Sequence, residues 1–246
     1  MRFCCPNCGR NEEILVDRRP RCLFCRVDMQ GASDYSELWM SPYIAIRRMA
    51  TISETYGIER ARADSRFRRE REAWTTGVLA LALSKLRDEE WWVEIETLDS
   101  TPDTKLHHID QSSGHNVIQT RNIEVVDWEE NVDDIMEVIA RKCQRTYPGH
   151  YLLVVNARHG GKEIFIERVI EEMTRIRSPF LEVWMVGLIG LDDMKVVRLA
   201  PGWPAIDLKV RVELEKASKQ PSFLKRGIRG TRPGFRELGT VFLPIP

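Results

Sequence analysis

The sequence predicts an α/β fold, a mixed sheet flanked by helices, with a small cysteine-rich module ahead of it. Three observations carry that prediction. Strand-length apolar or alternating segments interleave with segments of helical period over residues 64–200. Tyr151 to Asn156 (Tyr-Leu-Leu-Val-Val-Asn) is continuously apolar, as expected of a central strand covered on both faces. Two Cys-x-x-Cys pairs stand close together near the N-terminus.

Taken in order, residues 28–40 read as a linker, with Gly31, Ser33, Asp34 and Ser36. A helix follows from Ser41 to Ile58, with Pro42 in its first turn and Gly57 ending it. A longer helix is expected from Asp64 to Arg87. Its charged first half should project, and its apolar second half (Trp74, Val78, Leu79, Leu81, Ala82, Leu86) should enter the core. Trp91 to Leu98, Thr104 to Asp110 and Val117 to Trp128 read as three strands in a meander, the last two joined through Ser112-Ser113-Gly114-His115. Val132 to Thr146 shows a helical stripe of Val132, Ile135, Val138, Ile139 and Cys143, stopped by Pro148-Gly149. Beyond the central strand, Lys162 to Ile176 is expected to be helical, and Leu181 to Ile189 and Lys195 to Leu199 to be strands. From Lys216 the chain turns basic and rich in Gly and Pro, an extended tail. The expected division is a zinc ribbon over 1–30, a linker and helix over 31–63, the α/β domain over 64–215 and the tail over 216–246.

A chain of 246 residues holds one sizeable core and a small appendage. No apolar run approaches the roughly 20 residues that span a bilayer. The polar, Cys-rich start does not read as a secretory signal, so a cytoplasmic protein with no membrane partner is expected. The formal net charge is zero but unevenly spread. Roughly ten bases face five acids over 41–87, and nine face three over 209–246, while 88–208 carries about twenty-three acids against twelve bases. An acidic centre between basic flanks suits a cation site beside surfaces that hold a polyanion; solvated helix faces and a basic tail suit the same counts.

The cysteines run Cys5-Pro6-Asn7-Cys8-Gly9 and Cys22-Leu23-Phe24-Cys25. Each pair makes a tight turn that aims two thiolates at one point, and two turns supply the tetrahedral sulfur set that Zn2+ prefers. We therefore expect Cys5, Cys8, Cys22 and Cys25 to hold a structural zinc, with Cys4 spare and Cys143 a core residue. Four protein ligands leave no open position for chemistry. Arg2, Arg10, Arg18, Arg19, Arg21 and Arg26 around the module favour nucleic acid as its partner.

A phosphate-binding loop after the central strand fails at two positions: Asn156 stands where its first Gly belongs, and Glu163 where Ser or Thr would bind magnesium. His107 and His108 are strand neighbours that point to opposite faces, so they read as hairpin residues rather than a ligand pair. Trp91, Trp92, Trp128 and Trp184 read as core. The meander is more informative. Asp103 opens one strand behind Pro102, and Glu124 sits inside the next, in Asn122-Ile123-Glu124-Val125-Val126-Asp127-Trp128. A buried carboxylate is costly unless it is paired or binds a cation, and carboxylates on adjacent strands can share one divalent ion. On these two residues alone, a turn-making Asp103 and a solvent-facing Glu124 is the simpler reading.

The Pro102-Asp103 pair, the Ile123-Glu124-Val125-Val126 strand and the surrounding order of helix, three strands, helix and strand resemble the PD-(D/E)xK nuclease superfamily, the restriction-endonuclease-like fold. The resemblance covers roughly residues 64–200. It implies a metal-dependent nuclease that hydrolyses phosphodiester bonds, most simply in DNA. Asp103, Glu124 and the Val125 carbonyl would hold Mg2+, with Glu70 or Glu72 as a further acid on the preceding helix. The family lysine two residues after the Glu is replaced by Val126. Some members carry it on the following helix, where Lys142 lies beside the inward stripe. Members of this fold also form homodimers or larger complexes. If Lys142 does not serve, the resemblance implies a catalytically inactive relative that binds nucleic acid, or an interaction adaptor in a mobile-element or defence system.

Overall fold

The structure, a computed structural model, describes residues 2–4, 11–13, 30–31, 38–95, 102–110, 117–129, 134–147, 151–158, 164–189, 192–225 and 241–243. The four expected zinc ligands, Cys5, Cys8, Cys22 and Cys25, lie outside the described residues, as does the turn at 112–115. Near them, β1 (Arg2–Cys4) pairs antiparallel with β2 (Asn11–Glu13) and β3 (Gln30–Gly31) in a small sheet of order β2-β1-β3.

The larger body is α/β, with an open mixed sheet of ten strands flanked by helices. Its chain order runs β4 (Leu38–Met40), α1 (Pro42–Tyr56), α2 (Ile58–Ala63), a 3-10 turn (Ser65–Phe67) and α3 (Arg68–Arg87). The meander follows as β5 (Trp91–Ile95), β6 (Thr104–Asp110) and β7 (Val117–Trp128), then α4 (Ile135–Cys143), β8 (Tyr151–Ala157) and α5 (Ile166–Met173). The chain continues through β9 (Glu182–Leu188), β10 (Asp193–Ala200), β11 (Ala205–Lys209), α6 (Val210–Ala217), β12 (Phe223–Lys225) and β13 (Val241–Leu243). Across the sheet the order is β11-β10-β9-β8-β7-β6-β5-β4-β12-β13. Strands β7, β8 and β9 are parallel and the other pairings antiparallel.

The centre of the sheet is buried on both faces, and strand alternation divides its side chains between two layers. Ile123 and Val125 of β7, Leu152 and Val154 of β8, and Trp184 and Val186 of β9 pack under α1 and α3. Val126, Leu153, Val155, Val183 and Met185 pack on the other face, with α4 and α5. All seven residues of β8 are buried, which is why that segment carries no polar alternation. Helix α1 starts where Ser41 accepts the Ile44 amide and Pro42 follows, and it ends at Gly57, whose φ of 85° favours glycine.

The main sheet reaches beyond residues 64–215 at both ends. Residues 31–63 hold more than a linker and a helix: β4 joins the main sheet, and Met40, Ile44 and Ala45 belong to its core. At the far end β12 pairs with β4, so the sheet continues past residue 216. The charged half of α3 does not simply project; Glu70, Arg71 and Glu72 are half-buried against the body. No described helix is long and apolar enough to cross a membrane.

Candidate active site

Three elements of the meander and its flanking helices meet where β6 begins. The Thr76 hydroxyl of α3 lies 2.6 Å from that of Thr104, both fully buried, and this contact ties α3 to the first residue of β6. Asp103 stands one residue earlier. Its main-chain amide donates to the Ile123 carbonyl, and its carboxylate accepts the Val125 amide at 2.8 Å. Asp103 thus replaces a ladder partner at the point where β6 leaves β7. The amide and carbonyl of one strand residue face the same neighbour, so the Val125 carbonyl is presented toward Asp103 as well.

Glu124 faces the opposite helical layer. It is 2% exposed, and its Oε1 accepts from Lys142 Nζ at 2.5 Å and from the Tyr147 hydroxyl at 3.4 Å. Lys142 comes from the last turn of α4, directly behind the Val138 and Ile139 stripe that packs on the sheet. The lysine ammonium therefore reaches the carboxylate from the helix, while Val126, two residues along β7, is buried in the apolar layer. The other oxygen, Glu124 Oε2, is buried with no hydrogen-bond partner. An orphaned carboxylate oxygen is a costly feature in a protein interior.

Electrostatics mark the same place. Burial, and then the Glu124 carboxylate, raise the Asp103 pKa above the usual aspartate range. Burial, and then Asp103, push Glu72 up to about 7, against the opposing pull of Arg68. Tyr147 is pushed up to about 12, first by burial and then by Glu124. In all three, burial is the first cause and a neighbouring carboxylate the second. Glu70 takes no part, because it pairs with the buried Arg48 at 3.4 Å. On the α3 side of the sheet, Asp127 accepts from Asn156 Nδ2 at 2.9 Å and from the Arg158 guanidinium.

The structure therefore brings Glu124 and Lys142 into contact and sets Asp103 beside Val125, within the electrostatic reach of both. Among the described residues, no group of three or more His, Cys, Asp and Glu side chains is gathered closely enough to hold a metal ion. His107 and His108 do diverge: His107 is buried, stacked on Trp39 and bonded to Glu94 at 2.7 Å, while His108 bonds the Glu90 carbonyl. Trp91, Trp92, Trp128 and Trp184 are all core residues. Sequence reasoning missed Thr76, Tyr147 and Asp127. Of these, only Asp127 left a signal, as a second acid in an apolar strand.

Compared with family models, with curated proteins and with solved structures, the chain matches none.

Proposed function

We propose that the protein is a divalent-metal-dependent nuclease of the restriction-endonuclease-like class, cutting phosphodiester bonds of nucleic acid, DNA first among them. The observation that carries this reading is the buried Glu124, held by Lys142 through one oxygen and left without a partner on the other. The order α3-β5-β6-β7-α4-β8, with an antiparallel meander and then a parallel strand, supports it.

The residues fit Mg2+. This ion usually takes one or two carboxylates and keeps several waters, so it does not need three gathered side chains. Glu124 Oε2, the Asp103 carboxylate and the Val125 carbonyl would hold it. Burial and a neighbouring carboxylate both disfavour the charged forms of Glu72 and Asp103, and a bound cation would relieve both. When bound, a divalent ion lowers the pKa of water and stabilises charge on a phosphate. Lys142, coming from α4 in place of a residue at position 126, sets the Glu124 carboxylate and keeps a positive charge beside the attacked phosphate. Thr76 positions Asp103 through Thr104. The zinc expected at Cys5, Cys8, Cys22 and Cys25 would brace a module that grips the same nucleic acid.

Incubating the purified protein with supercoiled plasmid, linear duplex, single-stranded DNA and RNA tests this. Cleavage is expected with Mg2+ or Mn2+, none in EDTA, and at least about a 100-fold loss in Glu124→Gln or Asp103→Asn. No metal-dependent cleavage of any substrate would overturn the proposal. Val126 favours a second reading, a nuclease-fold protein that binds nucleic acid without cutting it. That reading predicts salt-sensitive binding with no product.

A further inference from the structure

A cavity of about 520 Å3 opens at the C-terminal ends of β8 and β9, under α1 and α3. That volume lies in the range of small-molecule sites, and open sheets with parallel strands bind ligands outside the carboxyl ends of those strands. It lies on the α1–α3 face, whereas Glu124 faces α4.

Its lining has two kinds of surface. Ile46, Met49, Trp74 and Met194 are apolar; Arg71 and Arg158 bring guanidinium groups to the same space. Arg71 is partly buried and uses one terminal nitrogen on the carbonyls of Ala61 and Asp64, at 3.2 and 2.7 Å. Its Nε is buried with no partner, and among the described residues it forms no ion pair. Arg158 is pulled to one side by Asp127 and Glu129. Burial, and then Arg158, lower the Arg71 pKa, while Asp127, Glu72 and Glu70 pull it the other way. An anion with several acceptor oxygens supplies the ion pair that Arg71 lacks and can also accept from Arg158. A flat ring suits the walls, since methionine sulfur and indole both pack well against aromatic faces.

We propose that this cavity binds a nucleoside monophosphate, with the base against Trp74, Met49 and Met194 and the phosphate at Arg71 and Arg158. The proposal does not depend on the nuclease reading. A bare phosphate would use the same guanidiniums without the apolar walls, and an aromatic carboxylate would use the walls with a single charge.

Isothermal titration of the full-length, zinc-replete protein without added Mg2+ or Mn2+, with AMP, GMP, CMP and TMP, tests it. Separate arms use the parent nucleosides, inorganic phosphate and indole-3-acetate. At least one monophosphate is expected to bind saturably to a single site, at least about tenfold tighter than its nucleoside, inorganic phosphate or the carboxylate. Arg71→Met should weaken that binding at least about tenfold. Ser53→Trp, which fills the cavity from α1 and keeps Arg71, should do the same and serves if the Arg71 variant does not fold. No saturable binding by any monophosphate, equal binding of inorganic phosphate or the carboxylate, or wild-type binding by a folded Ser53→Trp protein would each overturn the proposal. Metal-dependent cleavage would stand or fall apart from this result, because the titration contains no Mg2+ or Mn2+.

Discussion

Glu124 presents its two oxygens to different surroundings, one on an ammonium and one on nothing. Breaking such a buried pair costs about 3–5 kcal/mol, because a charge is left in the interior uncompensated. Lys142→Met should therefore lose on the order of 3 kcal/mol in EDTA, with Mg2+ restoring more stability to the variant than it adds to the wild type. Urea unfolding with and without Mg2+ reads both effects; a loss under about 1 kcal/mol would mean the pair is not as buried as the structure has it. Glu72 gives a pH signature. Its folded value of about 7 lies above the ordinary 4.5, so the folded state keeps a proton that the unfolded chain has already released. Stability is present in full below about pH 4.5 and is lost as pH rises towards about 7, by at most on the order of 3 kcal/mol. Glu72→Gln should flatten that slope in thermal melts between pH 5 and 8. A slope unchanged by the substitution would place the titrating group elsewhere. Asp103, Glu124 and Lys142 were legible because each breaks a local pattern: an acid behind a proline, an acid in an apolar strand, a lysine beside an inward stripe. Tyr147 and Thr76 break none, since a tyrosine before Pro148-Gly149 and a threonine in a helix are ordinary until the fold sets them against Glu124 and Thr104.

Among the elements, α3 is tied to the start of β6 through Thr76, and it packs closely on α1 at Gly77. A Cβ there would lie 3.1 Å from the Ala45 Cβ, 3.3 Å from Ile46 Cγ1 and 3.4 Å from the Pro42 carbonyl. Alanine would raise helix propensity by about 1 kcal/mol, but these neighbours are a short side chain, a packed one and main chain. We expect Gly77→Ala to destabilise by about 1 kcal/mol net, read from the shift in urea midpoint at constant slope. A gain in stability would show that α1 gives way. The meander and the central strand were readable because their periods are strong: β6 and β7 fall on their expected bounds, Thr104–Asp110 and Val117–Trp128. Helix α2, β11, α6 and β12 were not. Ala205–Lys209 is five residues long beside two prolines, and Phe223–Lys225 is three residues that become a strand only by pairing with the distant β4. Short elements fixed by non-local partners carry almost no periodic signal.

At the scale of the whole molecule, the ten-stranded sheet gives the uneven charge a geometry. The acidic stretch of the sequence contributes Asp103, Glu124 and Asp127, with Arg158 at the end of β8, and the basic stretch contributes α1 to α3, whose Arg71 lines the same cavity as Arg158. A net charge of zero thus conceals a negative centre with positive neighbours, the arrangement a cation and a polyanion require together. The sequence could show the two charge blocks but not that they meet, because α3 lies against β6 and β7 only in the folded sheet. The claim on which the function rests is that Asp103 and Glu124 hold a divalent ion. Titration of zinc-replete protein with Mn2+, followed by the loss of the free-ion paramagnetic resonance signal in the presence of a non-cleavable phosphorothioate duplex, measures it most directly. One saturable site in the wild type, lost in folded Glu124→Gln and Asp103→Asn, is the expected result. No Mn2+ site, or one that survives both substitutions, would contradict it.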